Sequence, residues 1–299
     1  MKVKPVLIVN PVSGQGRTAR IWEEIKSALK TKFKDFITKF TEAPGHAVEI
    51  AREELKKGRE LVIGVGGDGT LNELVNGYLE RDRPINPEAS LSIIPSGRGN
   101  DFIKSLNLPT SWIKALKKLG FHRQMKVDVG KFTAKGITGY FLNVMDMGLG
   151  GEIVRELSQH GSEHHGFEYT LKLLKKFFVY RSRNYRIKVD GKEITGKFLV
   201  VAVANGRIFG GGMKIAPCAE VNDELLEVVA VENMSGARFL ANLWRLYAGK
   251  ILSYSKVKHL RGRTIEISSQ PHHFEYDGEL GFTDSLKIEV IPGSVKITI

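Results

Sequence analysis

An acidic residue stands among glycines directly after a short apolar run of the sequence. Leu61–Val65 is continuous and apolar, as buried parallel strands are, and Gly66-Gly67-Asp68-Gly69-Thr70 follows it. Glycines let backbone N–H groups approach an anion, and Thr70 and Asn72 add further donors. A carboxylate beside phosphates is repulsive unless a cation lies between them. The loop therefore predicts a phosphate site with Mg²⁺ near Asp68, although a plain glycine turn is the simpler alternative.

Two further polar, glycine-rich segments also follow predicted strands, namely Asn10–Gly16 and Ser96–Asp101. Ligands of open α/β sheets bind beyond the carboxyl ends of the strands, where all three segments are expected. No Walker triplet Gly-Lys-[Ser/Thr] is present, and the first strand-to-helix turn lacks the dinucleotide fingerprint Gly-x-Gly-x-x-Gly. The common P-loop NTPases and ordinary dehydrogenases are therefore excluded.

The elements that hold these loops follow from the periodicity of apolar residues. Strands are predicted at Val6–Val9, Ile37–Phe40, Leu61–Val65 and Leu91–Ile94, with helical segments between them. This order predicts an α/β fold, with an open parallel-sheet nucleotide-binding domain over residues 1–127. The pattern then changes to short strands bounded by Gly, Asp or Asn, which predicts an antiparallel β-sandwich with helical insertions over residues 128–291. The segment at about 292–299 is predicted to pack back on the first domain.

Taken together, the loops resemble those of the diacylglycerol and sphingosine lipid kinases over nearly the whole chain. NAD kinases share a shorter form of the Gly-Gly-Asp loop, so the resemblance implies an NAD kinase-like first domain. The similar segments include Asn10–Gly14, Gly66–Asn72, Ile94–Phe102 and Tyr276–Glu279. The resemblance implies ATP and Mg²⁺ as cofactors. It implies the nucleotide-binding residues Asn10, Pro11, Ser13, Gly14, Thr41, Gly66, Gly67, Asp68, Gly69, Thr70, Leu71, Asn72, Gly97, Arg98, Asn100 and Glu279.

Two positions depart from the pattern of that family. Arg98 stands where the third loop usually carries threonine, so it either pairs with a phosphate or points to solvent. The family's structural Mg²⁺ site corresponds to Glu220, Asp223 and the backbone carbonyl of Leu225. Glu224 stands there in place of a glycine, which puts the geometry of that metal site in question.

Asp277 is the predicted catalytic acid–base residue. It lies in Tyr276-Asp277-Gly278-Glu279, and the resemblance implies that it accepts the proton of the acceptor hydroxyl. Phosphoryl transfer needs such a base, a placed nucleophile and charge neutralisation. An Asp-Gly hairpin turn is the alternative interpretation of the same residues. Asp68 is implied to hold the catalytic Mg²⁺, with Asp128 as a second candidate.

The balance of charge predicts an anionic partner. The chain has 45 Lys and Arg against 33 Asp and Glu, a formal net charge of +12. Lys172–Lys197 and Arg238–Arg263 are basic and interleaved with aromatic residues, which suits an anionic membrane surface or nucleic acid. A lipid kinase must collect its substrate from a bilayer, so we expect peripheral membrane docking and no nucleic acid.

The predicted function is ATP-dependent transfer of phosphate to a lipid alcohol, with diacylglycerol as the leading acceptor. An NAD kinase-like enzyme and a non-enzymatic nucleotide- or nucleic-acid-binding protein are the alternatives. The single cysteine, Cys218, indicates a reducing cytoplasm and is expected to be structural, because no histidine stands near it in the sequence. No apolar run reaches the ~18–20 residues of a membrane span. The oligomeric state stays open, a homodimer included.

Overall fold

The structure, a computed structural model, describes residues 4–120, 123–160 and 180–299. Its residues group into two compact units. The first consists of Met1–Val129, Val221–Asp223 and Ile291–Ile299, and the second of Gly130–Glu220 and Glu224–Val290. The first is an α/β unit and the second is rich in β-strands, which confirms the predicted order of fold classes.

Strands and helices alternate in the first unit. Its strands are β1 (Val6–Val9), β2 (Ile37–Phe40), β3 (Leu61–Gly66), the short pair β4 (Leu79–Glu80) and β5 (Arg83–Pro84), and β6 (Ser90–Pro95). Its helices are α1 (Ser13–Lys32), α2 (His46–Lys56), α3 (Asp68–Tyr78), α4 (Asp101–Ser105) and α5 (Trp112–Lys118).

The long strands of the first unit pair in parallel, in the order β2-β1-β3-β6. Val6 lies opposite Ile37 and Val62, and Leu61 lies opposite Ser90. β1, β3 and β6 are buried along their whole length, as uninterrupted apolar runs require when helices cover both faces of a sheet. Because parallel strands share one direction, the loops that leave β1, β3 and β6 emerge at the same edge.

Residues Ile291–Ile299 complete this sheet beyond β6. Ile297 lies opposite Leu91 in parallel register. The Ser92 hydroxyl donates to the carbonyl of Thr298 at 2.9 Å, and the Thr298 hydroxyl donates to Ser90 Oγ at 2.7 Å. The segment therefore belongs to the first unit through both backbone pairing and buried side-chain hydrogen bonds.

The second unit contains most of the remaining elements. Its strands are β7 (Gln124–Ala134), β8 (Ile137–Phe141), β9 (Val144–Gly148), β10 (Arg183–Val189), β11 (Lys192–Ala204), β12 (Leu226–Glu232), β13 (Val257–Gly262), β14 (Thr264–Tyr276) and β15 (Glu279–Thr298). Its helices are α6 (Leu149–His160), α7 (Gly236–Asn242), α8 (Trp244–Tyr247) and a 3₁₀ turn at Ile251–Ser253. β7 begins in the first unit, and β15 ends in it.

Neighbouring strands of the second unit pair antiparallel, β10 with β11, β11 with β12 and β14 with β15. Alternate residues of β11 belong to different apolar clusters. Val201 and Val203 lie in one cluster, and Val200, Ala202 and Ala204 lie in the other. Since successive side chains of a strand point to opposite faces, β11 is buried on both faces. Within the three described ranges, every helix is too short or too polar to cross a bilayer.

Candidate active site

The glycine loop after β3 contacts the loop after β6 through backbone atoms. The amides of Ser96 and Gly97 donate to the carbonyl of Gly66 at 2.8 and 3.1 Å. A Cβ added at Gly97 would lie 2.5 Å from the Cα of Gly67, closer than real Cβ atoms approach other atoms. The two loops therefore need glycine at this contact because their backbones touch.

The loop after β1 joins the same cluster. The Asn10 amide donates to the carbonyl of Val65 at 3.0 Å, and Asn10 Nδ2 donates to Thr70 Oγ1 at 3.2 Å. Gly14 has a φ of +62°, and a Cβ there would lie 2.5 Å from the carbonyl oxygen of Ser96. The loops predicted at three strand ends thus meet at one edge of the sheet, as the sequence order required.

Asp68 connects the glycine loop to the start of α4. Its Oδ2 accepts the Asp101 amide at 2.9 Å, and its Oδ1 accepts the Phe102 amide at 3.0 Å. The pKa of Asp68 nevertheless lies above its ordinary value, because burial disfavours the charged form more than the two amides favour it. The nearby Asp101 carboxylate raises the pKa further. A bound cation would relieve this repulsion.

The donor set around Asp68 suits a hard cation such as Mg²⁺. A carboxylate offers about four lone-pair positions, and two amides occupy only part of them. Asn100 lies beside it, and its Nδ2 donates to the Gly97 carbonyl at 3.0 Å. Within the described residues, the buried Oδ1 atoms of Asn100 and Asn10 have no hydrogen-bond partner. Such oxygens accept from hydroxyls, amines or metal-bound water, and they do not face phosphate favourably.

Other predicted nucleotide residues of the first unit take varied positions. Thr41 is buried beside this edge, and its amide donates to the Val9 carbonyl at 2.9 Å. Leu71 lies in α3 and is 1% exposed, so its side chain is buried and supports the loop by packing. Arg98 is exposed, and both alternatives for its side chain, a phosphate partner or solvent, stay predictions. Of the remaining positions, Pro11 lies in the loop after β1, Ser13 is the first residue of α1, and Gly69 and Asn72 lie within the first five residues of α3.

Asp128 lies elsewhere in the first unit. Its Oδ1 accepts the Gly293 amide at 2.6 Å, its own amide donates to the Val221 carbonyl at 2.7 Å, and the residue is 1% exposed. It ties three separate segments of the chain together. This is a structural role, so a role in Mg²⁺ binding stays a prediction only.

Asp277 occupies a hairpin turn in the second unit. Tyr276 lies opposite Glu279, which leaves Asp277-Gly278 as a two-residue loop with φ of 49° and 93°. The Asp277 carboxylate accepts three successive backbone amides, from Leu142 at 2.6 Å, Asn143 at 3.1 Å and Val144 at 3.0 Å. The hairpin interpretation is thus correct for the backbone, while the side chain points back into the unit.

One of the three residues that donate to Asp277, Asn143, also has a buried side-chain oxygen. Asn143 donates its Nδ2 to the Ile208 carbonyl at 2.8 Å, and its Oδ1 is buried with no partner in the described residues. Glu279 follows the loop as the first residue of β15 and is exposed. The segment that binds the Asp277 carboxylate therefore also carries a buried acceptor, the amide oxygen of Asn143.

A pair of buried acids lies beside the Asp277 hairpin, and the sequence motifs did not point to it. Asp146 of β9 lies opposite Glu275 of β14, and the two side chains are hydrogen-bonded. Burial, and then the Asp146 charge, raises the pKa of Glu275 well above its usual range. The Gly151 amide donates to Asp146 Oδ1 at 3.1 Å, and the Gly278 amide donates to Glu275 Oε2 at 2.9 Å. Glu275 therefore keeps a proton and donates it to Asp146.

The predicted structural metal residues Glu220, Asp223 and Leu225 lie in one loop before β12. Glu224 has a φ of +64°, in the left-handed region that a glycine adopts without strain. Its carboxylate pairs with Arg263. The loop therefore keeps the backbone conformation that the family's glycine would allow, although metal binding at these residues stays a prediction.

The two basic stretches differ in what the structure describes. In the first stretch, residues 172–179 lie outside the described residues. In the second stretch, Trp244 and Tyr247 are 52% and 51% exposed. The Arg245 guanidinium lies 4.9 Å from the centre of the Trp244 ring and 5.1 Å from that of Tyr254.

Comparison with protein families covers both units. Residues 4–132 match the model of the diacylglycerol kinase catalytic domain. Residues 143–299, more than half of the chain, match the model of the YegS C-terminal NAD kinase beta sandwich-like domain.

Individual relatives match along nearly the full chain. A diacylglycerol kinase of Staphylococcus carnosus (strain TM300) is 28% identical over 94% of this chain and 90% of the relative. A Klebsiella pneumoniae (strain 342) protein named "Probable lipid kinase YegS-like" is 28% identical over 97% of this chain and 94% of its own. A solved structure assigned as a diacylglycerol kinase, from Bacillus anthracis str. Sterne, aligns with a TM-score of 0.77 at 27% identity. It covers 99% of this chain and 96% of its own.

Proposed function

Since the chain belongs to the diacylglycerol kinase and YegS-like lipid kinase family, we propose that it phosphorylates diacylglycerol to give phosphatidic acid. Family membership confirms the predicted class, a lipid kinase, and implies ATP as the phosphate donor. The acceptor lipid and the roles of individual residues belong to the proposal.

The observation that carries the proposal is the meeting of three loops at one edge of the parallel sheet. Their backbones approach so closely at Gly67 and Gly97 that side chains are excluded, and amides around them are positioned by the sheet itself. Such surfaces accept phosphates without reorganisation, because the donors are already fixed. The buried oxygen of Asn10 would complement these donors by accepting from a hydroxyl or amino group of the nucleotide.

Asp68 would hold Mg²⁺, directly or through water, and the neighbouring Asn100 oxygen would accept from that water. When bound, the ion neutralises charge on the phosphates during transfer. Asp68 also fixes the start of α4 through two amides, so it positions the third loop as well. We propose that these two roles are combined in one carboxylate.

Asp277 would accept the proton of the lipid hydroxyl. Its two oxygens already receive three backbone amides, one of which is shared between both oxygens. The backbone holds the carboxylate in place before substrate arrives, which saves the cost of orienting it.

Peripheral membrane docking fits the exposed side chains at α8. Trp244 and Tyr247 present amphipathic rings, and Arg245 lies over an aromatic face. Aromatic and basic groups of this kind favour the interface of an anionic bilayer, at about 1 kcal/mol for each well-placed Arg or Lys. We propose that this surface brings the enzyme to its substrate.

An NAD kinase-like acceptor is the second candidate, because the Gly-Gly-Asp loop is shared with that class. The assay that separates the two uses γ-radiolabelled ATP with a panel of lipids and with NAD. Label in diacylglycerol, stronger in anionic than in neutral vesicles, supports the proposal. Label in NAD alone overturns it.

The same assay tests Asp68 with the variant Asp68→Asn. Asparagine keeps one acceptor for α4 but loses the charge, so we expect transfer to fall roughly 10–100-fold with the fold retained. Glu73→Gln is the matched control, because Glu73 also lies in α3 and accepts a backbone amide, that of Ala47 at 3.0 Å. It should transfer at the normal rate. Normal transfer by Asp68→Asn contradicts the metal assignment.

A further inference from the structure

Three different metal-binding side chains meet in the second unit, and none of them belongs to the sites assigned above. Cys218, Glu227 and His259 place one sulfur, one carboxylate oxygen and one ring nitrogen within 4.8 Å of one another. The Cys218 sulfur lies 3.8 Å from His259 Nε2, and the same nitrogen is hydrogen-bonded to Glu227 Oε2. The part of the chain that the structure describes contains no second group of three such residues.

Strand register explains why two of the three side chains meet. In the β12–β13 pair, Glu227 lies opposite Arg261 and Val229 lies opposite His259. Glu227 and His259 are therefore diagonal neighbours on one face of the sheet, within reach of long side chains. Cys218 reaches that face from the segment that precedes β12. No histidine stands near Cys218 in the sequence, and His259, 41 residues away, meets it only through the fold.

The direction of the contacts decides between two kinds of chemistry. In a nucleophilic triad, the thiol and the carboxylate bind opposite nitrogens of the histidine, so that a proton passes through the ring. Here both partners face the same nitrogen, Nε2, and no relay through His259 is possible. Three ligand atoms that converge on one point are instead the arrangement that binds a central ion.

The charges around the cluster favour a cation. Glu227 is 2% exposed, and its other oxygen, Oε1, lies 3.3 Å from Arg261 Nε. Arg261 therefore leaves Oε2 to face His259, where a proton on the imidazole now serves as its partner. A metal ion at that point would replace this proton and satisfy the buried oxygen more strongly. Cys218 and His259 are exposed enough to give an ion access from solvent.

We propose that Cys218, Glu227 and His259 bind one Zn²⁺ ion, with water as the fourth ligand. A thiolate, an imidazole and a carboxylate form a mixed soft and borderline donor set, which Zn²⁺ accepts and Mg²⁺ does not. Three protein ligands leave a fourth tetrahedral position open. The ion would join the segment before β12 to the strand pair β12–β13. This inference does not depend on which lipid the kinase phosphorylates.

The test is metal titration of the full-length protein after treatment with a chelator. Zn²⁺ binding is measured by calorimetry, and Co²⁺ is used as a spectroscopic substitute because cobalt–thiolate bonds absorb in the near ultraviolet. We expect one equivalent of each ion, the thiolate absorption with Co²⁺, and a higher unfolding temperature with Zn²⁺. Cys218→Ser and His259→Gln should each weaken binding at least about tenfold, and Cys218→Ser should abolish the absorption.

His46→Gln is the matched control, because His46 lies in the first unit and accepts a backbone amide, that of Glu42. It should bind Zn²⁺ as the unmodified protein does. Far-ultraviolet circular dichroism establishes that each variant is folded before titration. A wild-type protein that binds no stoichiometric Zn²⁺, or Co²⁺ binding without thiolate absorption, overturns the proposal. Unchanged affinity in both ligand variants also overturns it.

Discussion

Two hairpins of the second unit turn through the same dipeptide and offer a comparison within one chain. Asp190-Gly191 joins β10 to β11, and Asp277-Gly278 joins β14 to β15. The φ values are 45° and 86° in the first loop and 49° and 93° in the second. Both loops have the left-handed geometry that matches the twist of adjacent strands, and Asp-Gly is among its preferred sequences.

The two aspartates also contact the backbone in the same way. The Asp190 amide donates to the Thr264 carbonyl at 3.0 Å, and its carboxylate accepts the amides of Arg263 and Thr264 at 2.9 Å. Asp277 repeats this arrangement with residues 142–144. The amide contacts are therefore a property of the turn, and they do not by themselves mark a catalytic group.

The surroundings of the loops differ. Asp190 is exposed, whereas Asp277 is half-buried and accepts the amide of Asn143, whose side-chain oxygen is buried with no partner among the described residues. Two residues before Asp277, Glu275 shares its proton with the buried Asp146. The same type of turn thus occurs at the surface, at Asp190, and among buried polar groups, at Asp277. The comparison indicates that the surroundings of the turn, and not the turn itself, distinguish the proposed base Asp277 from Asp190.

The largest expected effect comes from replacing each aspartate by asparagine. Asp277→Asn should lower kcat roughly 10²–10⁴-fold, because an amide cannot accept the lipid proton. Asp190→Asn should leave kcat unchanged. Both variants turn an NH₂ group toward backbone donors, so each should lose about 1–2 kcal/mol of unfolding free energy. Steady-state kinetics with saturating diacylglycerol and urea unfolding measure the two quantities.

This pair of variants separates the base from the turn. If Asp277→Asn keeps its kcat, Asp277 is not the base, and the two hairpins are equivalent. If Asp190→Asn loses activity to the same extent, the loss follows hairpin stability. The ATP affinity from a direct binding titration should stay within a few-fold for both variants, since the loops proposed to bind the nucleotide lie in the first unit.

A smaller effect is expected at Glu275. The pKa of Asp146 is raised from 3.8 to about 6, and that of Glu275 is raised well above 4.5. The shared proton contributes its full stability at a pH below the pKa values of the two acids in the unfolded chain, which are near 4. This contribution falls as the pH rises through their higher pKa values in the folded protein. Glu275→Gln keeps a donor toward Asp146 and an acceptor for the Gly278 amide. The variant should be about 2 kcal/mol more stable at neutral pH, with a flatter pH dependence.

Unfolding free energy measured between pH 4 and 8 gives the comparison, with Asp190→Asn as the reference variant. Asp190→Asn should keep the decline with rising pH, because the acid pair is untouched. A Glu275→Gln profile parallel to that of the unmodified protein contradicts the shared proton.

The smallest effect concerns the glycines that complete the two turns. A Cβ at Gly191 or Gly278 would meet no atom within 4 Å, so Gly191→Ala and Gly278→Ala cost only the strain of positive φ. We expect each to lower stability by about 1 kcal/mol. Only Gly278→Ala should also lower kcat, since it shifts the neighbouring carboxylate. Equal kinetics in the two variants would mean that the Asp277 position tolerates movement.

Local sequence patterns predicted those features that depend on near neighbours. β1 and β2 have the predicted bounds because each is a short apolar or alternating run with turn residues after it. The loops at strand ends followed from the same reasoning, since parallel strands bring their carboxyl ends together. The family resemblance, carried by ordered motifs, correctly predicted a lipid kinase.

The features that the sequence could not predict depend on strand register and on packing between distant segments of the chain. Asp146 and Glu275 meet because β9 and β14 pair in one register, and an acid in an apolar run was the only local sign. Asp68 was predicted as a metal ligand, but its contacts with the start of α4 depend on how two loops fold together. Glu224 replaced a glycine, yet the structure holds it at positive φ, which no pattern of residue types could predict.

The parallel pairing of Ile297 with Leu91 has a consequence for protein synthesis. A ribosome finishes β6 long before it reaches Ile297, and at its usual speed the interval is about 10–40 s. Throughout that time one edge of a fully buried strand, Ser90–Pro95, lacks its neighbour. Open edges of apolar strands recruit other chains. The first unit is therefore begun first and closed last, and this strand edge stays open to other chains during the interval.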